Sequence, residues 1–235
     1  MMIRLFYHAW VDGHWVKPAA DWLKALEESG LMDEVSGSMT ITLVGERRNR
    51  EAARGWFASQ GIRVAKWLYA DSGYEQRTLA EVHRHSIWAD QVQQPHYVWY
   101  GHSKGARDAS PINEAWRRSM LADTLLGWRE CILALKDGAD LVGPHWLTPE
   151  EWSQEHRYVG APFFGGNHWW ASTTYLARLE APDAGSGARY DAETWVGSGQ
   201  PRRVVDLRRG WPGFVLFKES VEPYTWRPVV EEDVI

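Results

Sequence analysis

Apolar and polar positions alternate in blocks along the chain, and the blocks change period as they go. Residues 3–10, IRLFYHAW, form an apolar run of strand type. Residues 19–30, AADWLKALEESG, set Trp22, Leu23 and Leu26 at helical spacing, with Gly30 as a stop. The same reading gives strands at 39–45 (MTITLVG), 62–69 (IRVAKWLY) and 96–101 (HYVWYG), and helices at 49–61 and 74–92. In the 74–92 helix Leu79, Val82, His83 and Ile87 share one face. The spacing predicts one long helix over 111–138, opened by Pro111 and stopped by Gly138, with Leu121, Leu125, Trp128, Ile132 and Leu135 as a core stripe. A strand at 139–146, a strand or strand-loop at 161–172, a short helix at 172–181 and a helical segment at 192–199 follow, with a loop at 182–191 between the last two. Irregular strands, RRVVDL and GFVLFKES, close the chain. Strands and helices taking turns imply an α/β domain, a mainly parallel central sheet with helices on its faces.

Composition narrows this picture. A chain of 235 residues with 44% hydrophobic content suffices for one sizeable core, and no composition shift divides it. A net charge of −5 argues against binding to nucleic acid or anionic lipid by bulk electrostatics. The basic run RRVVDLRRGW, 202–211, is a local exception that would track phosphates. No apolar run approaches the roughly 18 residues that span a bilayer, and the start of the chain is too polar for a signal peptide. The single cysteine, Cys131, lies within a helical pattern and reads as a small buried hydrophobe in a reducing, cytoplasmic setting. His83 and His85 point to different helix faces, and no zinc spacing is present. The outlier is tryptophan, 16 residues against 6 phenylalanines, and an indole pairs an apolar body with a hydrogen-bonding edge suited to stacking on sugars and bases.

In an open α/β sheet chemistry collects beyond the carboxyl ends of the strands. There the chain places Tyr7, His8 and Trp10, then Gly45, Glu46 and Arg47, then YGHSKGA, 100–106. In the last of these the glycines admit a ligand close to the backbone, His102 and Ser103 offer hydrogen bonds, and Lys104 offers a point charge for phosphate. It lacks the pattern of a Walker loop. Downstream, APFFGGNHWWAS (161–172) sets bare backbone beside an amide, an imidazole and two indoles, and AETW (192–195) follows.

The order of these motifs, SKGA after a fourth strand, a long helix with Trp116 and Met120, GADLVGPHW, GGNHWWAS and RYDAETWVGSG, resembles a family of small bacterial and viral glycosyltransferase-like proteins. The resemblance spans about residues 3–200. It implies a single Rossmann-like domain of GT-A type, with a nucleotide-binding part over about 1–105 and an acceptor and catalytic part over about 106–235. It implies transfer of a sugar from a nucleoside diphosphate to an acceptor hydroxyl on a polysaccharide, a small glycoside or a hydroxymethylated base of viral DNA. Donor binding then falls to Tyr7 and His8 near the nucleoside, to Arg47 and Glu75 with Tyr74 beside it, and to His102, Ser103 and Lys104 at the diphosphate. Gly166, Asn167, His168, Trp169 and Trp170 form the sugar floor, with one indole stacked on the ring. Glu193 is the first candidate base, Asp191 the second and His168 the third. Where many GT-A enzymes carry Asp-x-Asp, this chain reads His102-Ser103-Lys104, which implies a protein cation in place of Mn²⁺ or Mg²⁺ and no required cofactor. Asp71, Asp140, Asp191 and Glu193 keep the metal alternative open. A carbohydrate-binding module without catalysis and a glycoside hydrolase are the rival classes, and neither a Gly-x-Ser-x-Gly elbow nor a confident second carboxylate supports the hydrolase.

Overall fold

The computed structural model describes residues 2–35, 37–149, 160–185 and 188–208. Its strands are β1 (Ile3–Trp10), β2 (Met39–Val44), β3 (Val64–Ala70), β4 (Tyr97–His102), β5 (Leu141–Gly143), β6 (Trp146–Leu147), β7 (Phe163–Phe164), β8 (Trp169–Ser172) and β9 (Val204–Asp206). Seven of them form one sheet in the order β3-β2-β1-β4-β8-β5-β9, and β6 pairs with β7 apart from it. All neighbours in the large sheet are parallel except β8, which runs against both β4 and β5. The mainly parallel α/β sheet predicted from the alternation is therefore present.

Two helix layers cover the sheet. On one face the odd positions of β1, Ile3, Leu5, Tyr7 and Ala9, meet α1 (Val16–Glu28), α2 (Leu31–Val35) and α3 (Arg47–Ser59). The apolar stripe of α6 (Trp128–Lys136) joins the same core through Trp128, Cys131, Ile132 and Leu135. On the other face Phe6 packs with Leu79 and Val82 of α4 (Gln76–Gln91), and with residues of α7 (Thr173–Leu176) and α8 (Arg189–Thr194). Because both faces are covered, β2 is buried along its whole length.

The predicted 111–138 helix is three pieces. A Ser110 hydroxyl cap on Asn113 N–H and Pro111 in the first turn open α5 (Pro111–Leu121), as its sequence implies. A π-turn then occupies Ala122–Leu126, where Gly127 N–H bonds back five residues to Ala122 O. The widening frees a backbone carbonyl that one indole uses, Trp170 Nε1 donating to Thr124 O at 2.6 Å, and a second indole, Trp99 Nε1, donates to the Thr124 hydroxyl oxygen at 3.1 Å. Periodicity cannot announce this. Its cause is a pair of donors that arrive from β4 and β8.

Other boundaries move by a few residues. The 139–146 strand divides into β5 and β6 around His145, whose backbone has φ 62°. The 172–181 helix shortens to α7, and α8 begins at Arg189 inside the predicted loop and passes into a 3₁₀ turn at Trp195–Gly197. His83 and His85 do part, His83 bonding Leu179 O at 2.8 Å and His85 Nε2 bonding His96 Nδ1 at 2.9 Å. GFVLFKES lies outside the described residues. Of the 202–211 basic run, exposed Arg203 pairs with Asp137 at 2.8 Å, and Arg208 is buried against Asp123 at 2.7 Å and so is not offered to a phosphate track. Among the described residues no helix is long and apolar enough to cross a membrane.

Candidate functional site at the ends of β1 and β4

The sheet order reverses its sense of winding between β1 and β4, which lie side by side with His8 and His102 in register. Such a switch point leaves a crevice at the carboxyl ends of the strands. Here it is a cleft of about 430 Å³, walled by His8 and Trp10 from β1, Gly73 to Glu75 ahead of α4, and the loop from His102 to Arg107. Ser103 ties the two strands together at this edge, its N–H donating to His8 O at 2.8 Å and its Oγ accepting from Trp10 N–H at 3.0 Å.

A chain of hydrogen bonds runs behind the cleft wall. His102 Nδ1 lies 3.1 Å from Glu75 Oε1, and its Nε2 donates to Gly166 O at 2.9 Å. Glu75 Oε2 accepts from Asn167 Nδ2 at 2.6 Å, and Asn167 Oδ1 accepts from Trp169 Nε1 at 2.8 Å. The Gly-Gly-Asn turn makes this possible: Gly166 has φ 87° and Asn167 φ 53°, the left-handed region that glycine and asparagine tolerate. A Cβ on Gly166 would also collide with Met120 Sδ. Gly166→Ala is expected to lower the melting temperature by about 3 °C or more, since the backbone strain alone costs about 1–2 kcal/mol. Calorimetry that finds an unchanged transition would show that the turn does not require glycine.

Two cations face the cleft on aromatic seats. Lys104 Nζ sits 3.8 Å above the Trp116 ring, and the Arg107 guanidinium lies between Trp10, at 4.9 Å, and Tyr74, at 5.1 Å. Arg107 is exposed and makes no ion pair among the described residues. The α5 helix sets the loop: buried Arg117 bonds Asp21 Oδ2 at 2.6 Å and donates to Lys104 O at 2.8 Å. Trp116, Arg117 and Met120 on one helix thus hold Lys104, its carbonyl and Gly166.

Burial sets the charge of the histidines. His8 Nδ1 bonds Thr78 Oγ1 at 2.8 Å, and its pKa falls to about 4, chiefly by desolvation against the opposing pull of Glu75. His168 is pushed well below the ordinary imidazole range by burial, with His102 adding to the effect. Both are neutral at pH 7.

The structure brings His8, Glu75, His102, Ser103 and Lys104 together and separates them from several predicted partners. Tyr7 does not reach the cleft: strand alternation turns it to the other face, where it is buried and stacked on Trp22 with centroids 4.2 Å apart. Arg47 runs along α3 to Glu51 at 2.8 Å and is absent from the cleft wall. The sugar floor is corrected most. Trp169 and Trp170 are both 0% exposed, on opposite faces of β8, Trp169 stacked on Tyr100 and Trp170 within the core under α6. Neither offers a face to a ring. His168 is equally buried, with Nε2 against the His102 backbone, and is no base for an external hydroxyl. Gly166 and Asn167 hold the wall instead of lining it. His102 has both ring nitrogens engaged, so a bond to phosphate would require one to break. Asp191 is exposed and Glu193 half-buried on α8; neither lines the cleft, and Glu193 acts electrostatically on the buried Tyr100 phenol.

Arg107 and Arg117 were not legible as site residues. An arginine two places after a post-strand glycine was the available signal for Arg107; nothing local marks Arg117, whose partner Asp21 lies on α1. Of the predicted alternative metal ligands, Asp71 pairs with Arg50 at 2.6 Å and Asp140 with Arg178 at 3.3 Å. Among the described residues no group of three or more His, Cys, Asp or Glu side chains is placed to hold a metal ion.

No curated protein matches the chain. A family model described as a domain of unknown function, DUF8361, matches residues 6–192, from within β1 into α8 and across every residue of the cleft wall, and the chain belongs to that family.

Proposed function

We propose that the protein is a glycosyltransferase that takes its sugar from a nucleoside diphosphate. The observation that carries this reading is the cleft at the β1–β4 switch point, where Lys104 and Arg107 present positive charge on aromatic seats beside neutral His8. Cations fixed in a cleft attract a diphosphate and stabilise the charge that develops on it as the glycosidic bond breaks. Trp10 and Tyr74 line the cleft with the Arg107 guanidinium between them, and supply the aromatic wall first assigned to Trp169 and Trp170. His8 Nε2 is the neutral acceptor for a nucleoside hydroxyl. Glu193 and Asp191 lie outside the cleft wall, so the base for the acceptor hydroxyl is not assigned to either. Lys104 and Arg107 take the charge-neutralising part that a divalent cation plays elsewhere.

A thermal-shift screen with UDP, GDP, ADP, CDP and dTDP, each with and without EDTA, tests this. A ligand at a hundred times its Kd stabilises by about 2.7 kcal/mol, several degrees for a chain of this size. One nucleotide is expected to shift the transition selectively and equally in EDTA. No shift with any of them at millimolar concentration would overturn the reading, and a shift abolished by EDTA would return the metal to it.

A further inference from the structure

Trp169 is buried away from the cleft, yet its indole N–H sets the direction of the hydrogen bonds that lead there. An indole nitrogen only donates, so Asn167 Oδ1, 2.8 Å away, accepts, and the amide Nδ2 is turned to Glu75 Oε2 at 2.6 Å. That carboxylate oxygen must accept. At the other end the Gly166 carbonyl only accepts, so His102 Nε2 carries a proton. Between Glu75 Oε1 and His102 Nδ1, 3.1 Å apart, one proton is needed, because two bare lone pairs at that distance repel. An ordinary carboxylate is a weaker base than an imidazole by about two pH units, and one already accepting an N–H is favoured in its charged form. The proton belongs on the ring.

We infer that Trp169, acting through Asn167 and Glu75, is a positioning residue that holds His102 doubly protonated, as an imidazolium paired with the Glu75 carboxylate in the cleft wall. The other titratable and charged groups around the pair are His8 on β1, the buried Tyr100 phenol of β4 beside Glu75, Glu193 of α8 acting on that phenol, His168 ahead of β8, Arg117 of α5, and Lys104 and Arg107 in the loop after β4. His8 and His168 are neutral, which leaves His102 to offset Glu75 at its own distance. The use of the pair rests on the glycosyltransfer reading: an unneutralised Glu75 would repel a diphosphate, and the imidazolium removes that repulsion.

The test is the protonation of the His102 ring in the full chain, read by long-range proton–nitrogen spectra with ¹⁵N-labelled histidine and assigned with His102→Gln. In the unsubstituted protein both ring nitrogens are expected to carry protons at pH 7. Trp169→Phe keeps a smaller ring against Tyr100 and deletes the indole N–H with part of the ring volume, which leaves the Asn167 amide held only by its Nδ2 contacts to Glu75 at 2.6 Å and Ala192 O at 3.4 Å. Asn167→Gly keeps the left-handed backbone and deletes the amide, and it carries the test if the first variant does not fold. In either variant the shared proton is expected to shift toward Glu75 by about tenfold or more, the worth of one hydrogen bond to a charged group. An unprotonated Nδ1 at pH 7 in the unsubstituted protein, or identical Nδ1 signals in the variants, overturns the inference. No ligand enters the measurement, so a protein that binds no nucleotide can still show the imidazolium, and one that binds can still lack it.

Discussion

Arg107→Ala is expected to weaken nucleoside diphosphate binding by about 10- to 100-fold and to lower the melting temperature by about 2–6 °C. A charge-assisted contact to phosphate contributes about 1.5–3 kcal/mol, while the exposed cation–π seats on Trp10 and Tyr74 contribute only about 0.5–1 kcal/mol each to the unliganded fold. Arg107→Lys should fall between, because it keeps a charge and loses the planar group that lies between the two rings. Titration calorimetry with the nucleotide selected by the thermal-shift screen reads all three proteins. An unchanged Kd in the alanine variant would remove Arg107 from the diphosphate site. Unequal loss for the free diphosphate and for a nucleoside monophosphate would locate the guanidinium at the outer phosphate.

Acid is expected to destabilise the protein steeply, well before carboxylates in general are protonated. His8 and His145 have pKa values lowered to about 4 and about 3 by burial, and His168 is held lower than the ordinary range for the same reason. Each is neutral in the native state and binds a proton on unfolding, so the stability it contributes is complete above the unfolded value near 6.5 and is lost as pH falls toward the native values. Asp123 works the other way. Burial raises its pKa to about 6 despite Arg208, so between about pH 6 and 4 the native state holds the extra proton and gains stability as pH falls. His85, lowered to about 4, and His96, also lowered, act in the same sense as His8, His145 and His168, so the buried histidines outweigh the one aspartate and stability falls as pH drops below 6. Urea midpoints measured between pH 7 and 5 should fall accordingly. A flat profile would mean that these rings are protonated in the native protein, and would contradict the burial that sets their charge.

The alternation of strand and helix blocks was legible because it follows from local periodicity. Pro111 announced the start of α5, and the Leu121, Leu125, Trp128, Ile132 and Leu135 stripe is core as read. The loop after β4 was recognisable as part of a cleft wall for a topological reason, since strand ends at a switch point are where backbone is left open. The indoles of β8 were misread for a related reason. Strand alternation sends Trp169 and Trp170 to opposite faces, as expected, but whether a face meets solvent depends on the helices laid over it, and both faces here are covered. The π-turn was equally hidden, because the donors that stabilise it belong to other strands.

Sequence alone determined an α/β chain with a mainly parallel sheet, and it located the backbone openings at 101–106 and 165–167 where a ligand or a second loop approaches closely. Those properties are written in short-range patterns of size, polarity and glycine, and they survive without knowledge of neighbours. The roles of the residues at those openings came from packing over long sequence distances. Arg107 gained its place from Trp10 and Tyr74, Lys104 from Trp116, and the Gly-Gly-Asn turn became a brace for Glu75 and His102 because Met120 and Trp116 of α5 crowd it and Trp169 of β8 bonds it. A side chain's chemistry depends on which donors, charges and water molecules surround it, and only the folded chain brings those neighbours within reach of one another.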